Sequence, residues 1–321
     1  MSRTYKATGI NLKGMPLGES DRLLTILTPE LGLIRAVAPG ARKHHSKLSG
    51  RSGLFVINQL LMIKGKNLDK VIQAETIRSY PGLSQDLGRL TASQYLAELV
   101  LCQALSEQSQ TELFSRLEEY LGRLERIPKA GLLPWLAYAT FQLLVLAGLE
   151  PRVSNCCITQ QPLMPDFETQ DWRVGFSVAA GGIVQLSELA HLDAIQVGVV
   201  RSQPKTSTQS YSLSDPTVRT ANEAVGPVYR VVSHPQKRPK LNTQLTAVEL
   251  SLLQQLVQPE RFERDLSELE VQKHPLFAPS YTQHWLVVER ALRQYAQYHF
   301  EQPIRSAVLV DTCFVYPHTS V

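Results

Sequence analysis

Apolar and polar residues alternate along the first eighty positions in short runs separated by turn residues. TYKATGINLK (residues 4–13) alternates and ends at Gly14, and DRLLTILT (21–28) is a second run closed by Pro29, Glu30, Leu31 and Gly32. LIRAVAPG (33–40), GLFVINQLLMIKG (53–65) and LDKVIQAETI (68–77) follow, the last two joined by the KGKN turn. Pro, Gly and Asn between period-two runs are hairpin signals, so this stretch predicts five strands. Five short strands in so few residues fit a small closed barrel such as an OB-fold, although an SH3-like barrel would give a similar string. The segment GESD (18–21) is expected to open the second strand, with Asp21 and Arg22 available for a local ion pair.

SYPGL (79–83) interrupts the chain, and from Leu90 the period becomes helical. TASQYLAELVLCQALSEQ (91–108) places Tyr95, Leu96, Leu99, Val100 and Ala104 on one face. Thr111 is positioned to cap TELFSRLEEYLGRLERI, which is apolar at 113, 114, 117, 121 and 124. WLAYATFQLLVLAGL (135–149) is apolar nearly all round and predicts a core helix with other helices about it. Its 15 residues are too few to cross a bilayer comfortably. Regularity is lost from Pro151 to Gln244, where SQPKTSTQSYSLSDPT (202–217) reads as a flexible loop and HPQKRPK (234–240) as a short basic segment. Helices return at LTAVELSLLQQLV, with Thr246 and Glu249 as a capping box, and at TQHWLVVERALRQYAQYHF (282–300). The expected architecture is an α+β multidomain chain. It has a five-stranded OB-fold barrel over 1–80, an all-α domain over 81–150 and 245–321, and an irregular insertion over 151–244.

Charge divides the chain unevenly. The first eighty residues carry thirteen Lys and Arg against five Asp and Glu, a surplus of eight positive charges. The other 241 residues carry 20 against 24, so a basic module is joined to a mildly acidic body. Such a module is suited to a polyanion, with nucleic acid foremost and an acidic protein segment as the competitor. Four cysteines in 321 residues, two of them adjacent, make no disulfide framework and suit a reducing cytoplasm. MSRTYKATGI has no apolar stretch leading to a cleavage site, so neither a signal peptide nor a membrane is expected.

The cations concentrate in PGARKHHSKLSGR (39–51), which supplies Arg42, Lys43, Lys47 and Arg51. Arg35 precedes it on the third strand, and Lys64, Lys66 and Lys70 come from the hairpin IKGKNLDK. Two basic loops at one end of a barrel would flank a single channel. Flexible cations beside glycines follow a phosphate backbone without reading its bases. Only Tyr5, Phe55 and Tyr80 are available as aromatic platforms, which argues for backbone contact over base recognition. His44 and His45 lie side by side with no Cys or acid near them; they read as solvated bases that add to the positive patch when protonated.

In the insertion, NCCITQQPL followed by VGFSVAAGGIVQLSE has the frame of a zinc ribbon without its ligands. A structural zinc takes four Cys or His, usually from two C-x-x-C knuckles. Thr159 stands where the partner of Cys156 would be, and the second half holds no cysteine, so no zinc and no other cofactor is predicted. G-x-S-x-G, G-x-x-x-x-G-K-[ST], H-E-x-x-H and G-x-G-x-x-G are all absent, and no enzymatic reaction is expected.

Taken in order, these segments resemble the RecO family of bacterial DNA-repair and recombination-mediator proteins. PLGESDRLLTILTPELGLIRAVAPGARK (16–43) is similar to the family's G-E-x-D-R turn, strand, T-P-E-x-G and strand ending in G-A-R. LDKVIQAE, LLVLAGLEP with the Cys156 region, FSVAAGG (176–182) and LRQYAQYHFEQPIRSAVLVD (292–311) resemble later family segments, leaving 190–244 unmatched. The resemblance implies a non-enzymatic protein that binds single- and double-stranded DNA and anneals complementary strands. It also implies engagement of single-stranded-DNA-binding protein and, with RecR, assistance in loading RecA. The bacterial cytoplasm, at the nucleoid, is the expected location. Carried over by residue, the family's basic strand and loop fall on Arg35, Arg42 and Lys43, with Lys47 and Arg51 as extensions. Of four expected zinc ligands only Cys156 is a cysteine; Thr159, Gln185 and Glu188 stand at the other positions. A protein-interaction adaptor, or an RNA-binding OB protein using the same basic barrel, fits the charge pattern as well.

Overall fold

A computed structural model describes residues 4–189, 239–260, 262 and 277–315. The N-terminal strands are β1 (Thr4–Leu17), β2 (Asp21–Thr28), β3 (Gly32–Ala38), β4 (Ile57–Ile63) and β5 (Asp69–Arg78). β1 is long enough to pair twice. Its first half lies antiparallel to β4, from Thr4 opposite Ile63 to Ile10 opposite Ile57, and its second half runs against β2 as far as Leu17 opposite Asp21. A bulge between Asn11 and Lys13 bends the strand where it changes partner. β3 and β5 close the barrel in parallel through Ala36 opposite Asp69 and Val37 opposite Lys70. The resulting order, β1-β2-β3-β5-β4, is the closed Greek-key barrel of an OB-fold.

Strand alternation sorts the barrel's side chains. Leu24, Ile26, Ile34, Ala36, Leu60, Met62, Val71 and Ala74 fill the interior, whereas Arg35 and Lys70 face out. Ile10, Leu12, Leu27, Phe55 and Ile57 belong instead to a core shared with the helices, so an apolar seam joins the two parts.

The helices are α1 (Leu87–Gln103), α2 (Thr111–Arg126), α3 (Lys129–Leu146), α4 (Ala247–Gln255), α5 (Thr282–His299) and α6 (Ala307–Val315). α3 is buried on every face, with Trp135, Leu136, Tyr138, Phe141 and Leu144 nearly inaccessible. By length and composition it could cross a membrane, but 72% of it is buried inside the protein. It starts six residues before the predicted Trp135, with Pro134 inside. A proline withdraws one backbone donor and reads as a break in the sequence. Burial of Leu132 and Leu133 before it and Trp135 after it carries the helix through. α2 is entered from Gln110, not capped by Thr111, whose hydroxyl donates to the Pro29 carbonyl at 3.3 Å. α4 begins at the expected capping box, Thr246 with Glu249.

A small sheet stands beside the helices. β6 (Arg173–Ser177) is flanked by β7 (Gly182–Val184) and β8 (Thr243–Thr246), both antiparallel to it. β8 lies at the end of the segment left irregular by the sequence reading, while the loop at 202–217 and residues 234–238 fall outside the described residues.

The barrel is clasped to the helices by the connection between α1 and α2. Leu33 N donates to Leu105 O at 2.9 Å, Glu107 N to Leu31 O at 3.0 Å and Gln110 N to Pro29 O at 2.7 Å. This connection therefore lies along the β2–β3 hairpin. Gly32, at φ +65°, is required at the contact, because a Cβ there would lie 2.0 Å from Leu105 O.

Candidate nucleic-acid interface

The basic segment between β3 and β4 is a folded arch rather than a flexible finger. Successive turns run along it: Lys43 N to Gly40 O, Ser46 N to Lys43 O, Ser49 N to Ser46 O, Ser52 N to Leu48 O and Gly53 N to Gly50 O, all between 2.9 and 3.1 Å. Its inner side is apolar. Ala41 is fully buried in the barrel interior, and Leu48 packs against the same cluster.

Side chains distant in sequence pin the arch. Asn11 Nδ2 donates to the carbonyls of Arg51 (2.8 Å) and Gly53 (2.9 Å), and Asn58 Nδ2 donates to Arg51 O at 2.9 Å. Both asparagines are fully buried. Arg22 Nη1 donates to the Ser52 carbonyl and hydroxyl at 3.1 and 3.0 Å, so Arg22 holds the arch instead of pairing with Asp21. Asp21 Oδ1 accepts from Gly40 N at 2.8 Å and from the Ser20 hydroxyl. The arch also meets the β1–β2 turn, through Arg42 N to Ser20 O at 2.9 Å and Arg42 Nη1 to Gly18 O at 3.0 Å. Phe55, at φ +61°, turns the chain back onto β1, and this delays β4 to Ile57, four residues after the predicted start.

These anchors set where the cations stand. The Asp21 carboxyl is held below its usual range, first by the Gly40 amide and the Ser20 hydroxyl and then by the positive charges of Lys43 and Lys70. Lys43 on the arch and Lys70 at the start of β5 are thus neighbours of one carboxylate. Arg35 and Lys70 face outward on adjacent strands, two residues out of register through the Val37–Lys70 pair. Arg42, Lys43 and Lys47 are exposed on the arch, while Arg51 is half-buried and contributes its carbonyl as an anchor.

The second basic hairpin is different in kind. Lys64 Nζ lies 3.8 Å from both Asp69 and Glu107, so its charge is already opposed. Asp69 is buried; it takes the Tyr5 hydroxyl and Gly65 N, the latter at 2.9 Å. Burial, and then this bond and charge, push the Tyr5 hydroxyl well up. Lys66 is exposed at the hairpin tip. Of the eight cations singled out in the sequence, the structure places Lys43 and Lys70 near Asp21, Arg35 on the strand beside Lys70, and Arg42 against the β1–β2 turn. It leaves Lys47 and Lys66 exposed in their loops, half-buries Arg51 and engages Lys64 elsewhere.

None of the three aromatic rings forms a stacking platform. Tyr5 is committed to Asp69, Phe55 is 4% exposed and Tyr80 is 6% exposed beneath the Arg78 guanidinium. Sequence reasoning missed Asn11, Asn58 and Asp21 as loop anchors. The available signal was an Asn inside an apolar strand run, where the residue is disfavoured unless its amide is used.

The degenerate ribbon brings three of its four positions together around one sulfur. Cys156 is fully buried, and its Sγ accepts Gln185 N at 3.3 Å. Burial alone would raise this thiol; the amides of Gln185, Thr159 and Ile158 and the Thr159 hydroxyl outweigh it and hold the thiol below its usual value. Glu188 follows by a turn bond from its amide to Gln185 O. Val184 and Leu189 pack on the sulfur with Ile158, Leu186 and Leu241 at the margin, so apolar contact occupies this corner. One thiol with a hydroxyl, an amide and a carboxylate is not the donor set of a structural zinc. Among the described residues no three of His, Cys, Asp and Glu gather into a metal-holding group.

Relatives agree with the resemblance read from the sequence. The family model described as Recombination protein O N terminal matches residues 1–80, and Recombination protein O C terminal matches 84–181. A DNA repair protein RecO from a Nostoc species is 51% identical over 321 residues, covering 99% of each chain. The chain belongs to the RecO family of DNA repair proteins. Two further RecO relatives show the range, one from Nostoc punctiforme at 49% identity over 99% of both chains. The other, from Synechococcus elongatus, is 39% identical over 100% of this chain and 99% of its own. The RecO N-terminal match coincides with the barrel and its basic arch. The C-terminal match runs through α1 to α3 and β6 and ends at Gly181, so β7 lies beyond it.

Proposed function

We propose that this RecO chain binds single- and double-stranded DNA through the cationic arch and the neighbouring strands of its barrel, following the phosphate backbone. The observation that carries this reading is the nearness of Lys43 and Lys70 to one carboxylate, with Arg35 on the adjoining strand and Arg42 on the same arch, an arch already fixed by Asn11, Asn58 and Asp21. A prefolded arch loses little conformational freedom on binding, so more of each ionic contact is retained as affinity. Neutralised phosphates allow two strands to approach, and a site that leaves base edges free lets them pair. Strand annealing follows from that arrangement. In this reading the chain acts as a recombination mediator, working with RecR to assist RecA onto DNA coated by single-stranded-DNA-binding protein. It performs no reaction of its own, carries no zinc at Cys156, and works in the bacterial cytoplasm at the nucleoid.

Fluorescence anisotropy with a labelled single-stranded oligonucleotide across a salt series tests the reading. Four or five phosphate contacts give a log–log slope of about −3, at roughly −0.7 per contact. Binding without salt dependence, or displaced more readily by an acidic peptide than by DNA, would move the arch to a protein partner. Equal or tighter binding to RNA of the same sequence would move it to RNA.

A further inference from the structure

The arch carries two rings that phosphate contact does not use. His44 and His45 are both exposed at its crest, with ring centroids 4.6 Å apart and planes at 78°. His44 Nδ1 lies 3.4 Å from His45 Nε2, so the pair is held edge-on. An edge-on pair covers one face of one ring and leaves the remaining faces open. Of the other rings near the barrel, Phe55 and Tyr80 are buried, and Tyr5 is half-buried against the barrel core with its hydroxyl on Asp69.

The surroundings match a nucleotide. Arg42 and Lys43 precede the pair along the arch and Lys47 follows it, all exposed. The backbone beneath is fixed on either side of the pair: Lys43 N is bonded to Gly40 O and Ser46 N to Lys43 O, with Ala41 and Leu48 packed inward. Bases splayed out of a single strand stack on histidine as they do on other aromatic rings, and such stacking tolerates any sequence. Bases inside a duplex offer no free face.

We infer that His44 and His45 form a stacking site for an unpaired nucleobase, with Arg42, Lys43 and Lys47 taking the flanking phosphates. The inference rests on the DNA-binding reading above and adds to it a preference for unpaired over paired strands. Backbone contact alone does not distinguish the two in this way.

The test compares a labelled single-stranded oligonucleotide with one of equal length carrying abasic residues, by anisotropy at about pH 8, above the usual histidine range. The full-length wild-type chain is expected to bind the base-bearing strand about tenfold more tightly. His44→Ala with His45→Ala removes that ratio and leaves the salt slope unchanged. His44→Phe with His45→Phe preserves it, whereas His44→Lys with His45→Lys does not, which separates ring from charge. Equal binding of the two strands by the wild type, or a ratio that survives the double alanine change, overturns the stacking site while the phosphate reading stands. Absence of salt-dependent binding to either strand overturns both.

Discussion

Asn11 Nδ2 reaches across the barrel mouth to the Arg51 carbonyl at 2.8 Å, from a side chain with no exposed surface. The residue that shapes the cationic arch thus has no contact with solvent. Asn11→Ala strips the Gly53 carbonyl of its side-chain donor and leaves Arg51 O with Asn58 alone. The expected cost is about 1–3 kcal/mol, the usual range for leaving a buried polar group unpaired. Urea unfolding measures that loss. Anisotropy at a temperature where the variant remains folded should show weaker DNA binding although every cation is still present.

The cations divide by their partners. Arg42→Glu, Lys43→Glu and Lys47→Glu together should flatten the salt slope by about 2, at roughly 0.7 per lost contact, and abolish measurable binding at moderate salt. Lys64→Ala should change neither slope nor affinity, because that ammonium faces Asp69 and Glu107. A matched fall for Lys64→Ala would show that the β4–β5 hairpin carries DNA in spite of these pairs.

Stability should depend on pH through Glu289. It is fully buried in α5, and burial pushes its carboxyl up to about 7, against the opposing pull of Arg293, whose Nη2 is 3.1 Å away. Tyr95 from α1, Asp311 from α6 and Arg290 on α5 complete the groups around it. The unfolded chain titrates this group near about 4.3. Between about 4.3 and about 7 the folded state keeps a proton that the unfolded state has released. Stability therefore falls as pH rises across that window, by on the order of 3 kcal/mol in full. Glu289→Gln should remove this slope, since Arg293 keeps Asp311 at 3.0 Å. Denaturant midpoints at about pH 5 and pH 8 should converge in the variant and differ in the wild type.

Gly32→Ala places a methyl against Leu105 O at a positive φ. Relief requires the α1–α2 connection to leave the β2–β3 hairpin, so a loss of more than about 2 kcal/mol is expected. Separate melting of barrel and helices in calorimetry would be the signature, in place of one transition.

At the ribbon, incubation with a chelator should leave the melting temperature unchanged. Cys156→Ala should lower it, because the amides of Gln185 and Thr159 lose their acceptor and the Val184–Leu189 contact gains a void. A chelator-sensitive melt would place a metal at this corner.

The barrel was legible because its signals are local. Period-two runs and turn residues between them mark each strand, and the Thr246–Glu249 box announces α4 within four residues. What the sequence hid is governed by distance along the chain. Asn11 and Asn58 meet Arg51 only once β1 and β4 have paired, so the arch reads as a loose charged loop until the barrel exists. The helix expected from Trp135 starts at Lys129, because the burial that carries it through Pro134 is not visible locally. Thr111 reads as a cap for the same reason, since its partner Pro29 lies 82 residues earlier.

The buried Ala41 and Leu48 give the arch a further consequence, in time rather than in space. An ordinary charged loop opens and closes independently of its domain and surrenders its amide protons quickly. Here the amides of Arg42, Ser52 and Gly53 are bonded above two side chains that stopper the barrel. Releasing the arch admits water to Leu24, Ile34 and Met62, so its amides should exchange with those of the strands rather than ahead of them. The cationic surface would then persist for as long as the barrel itself does.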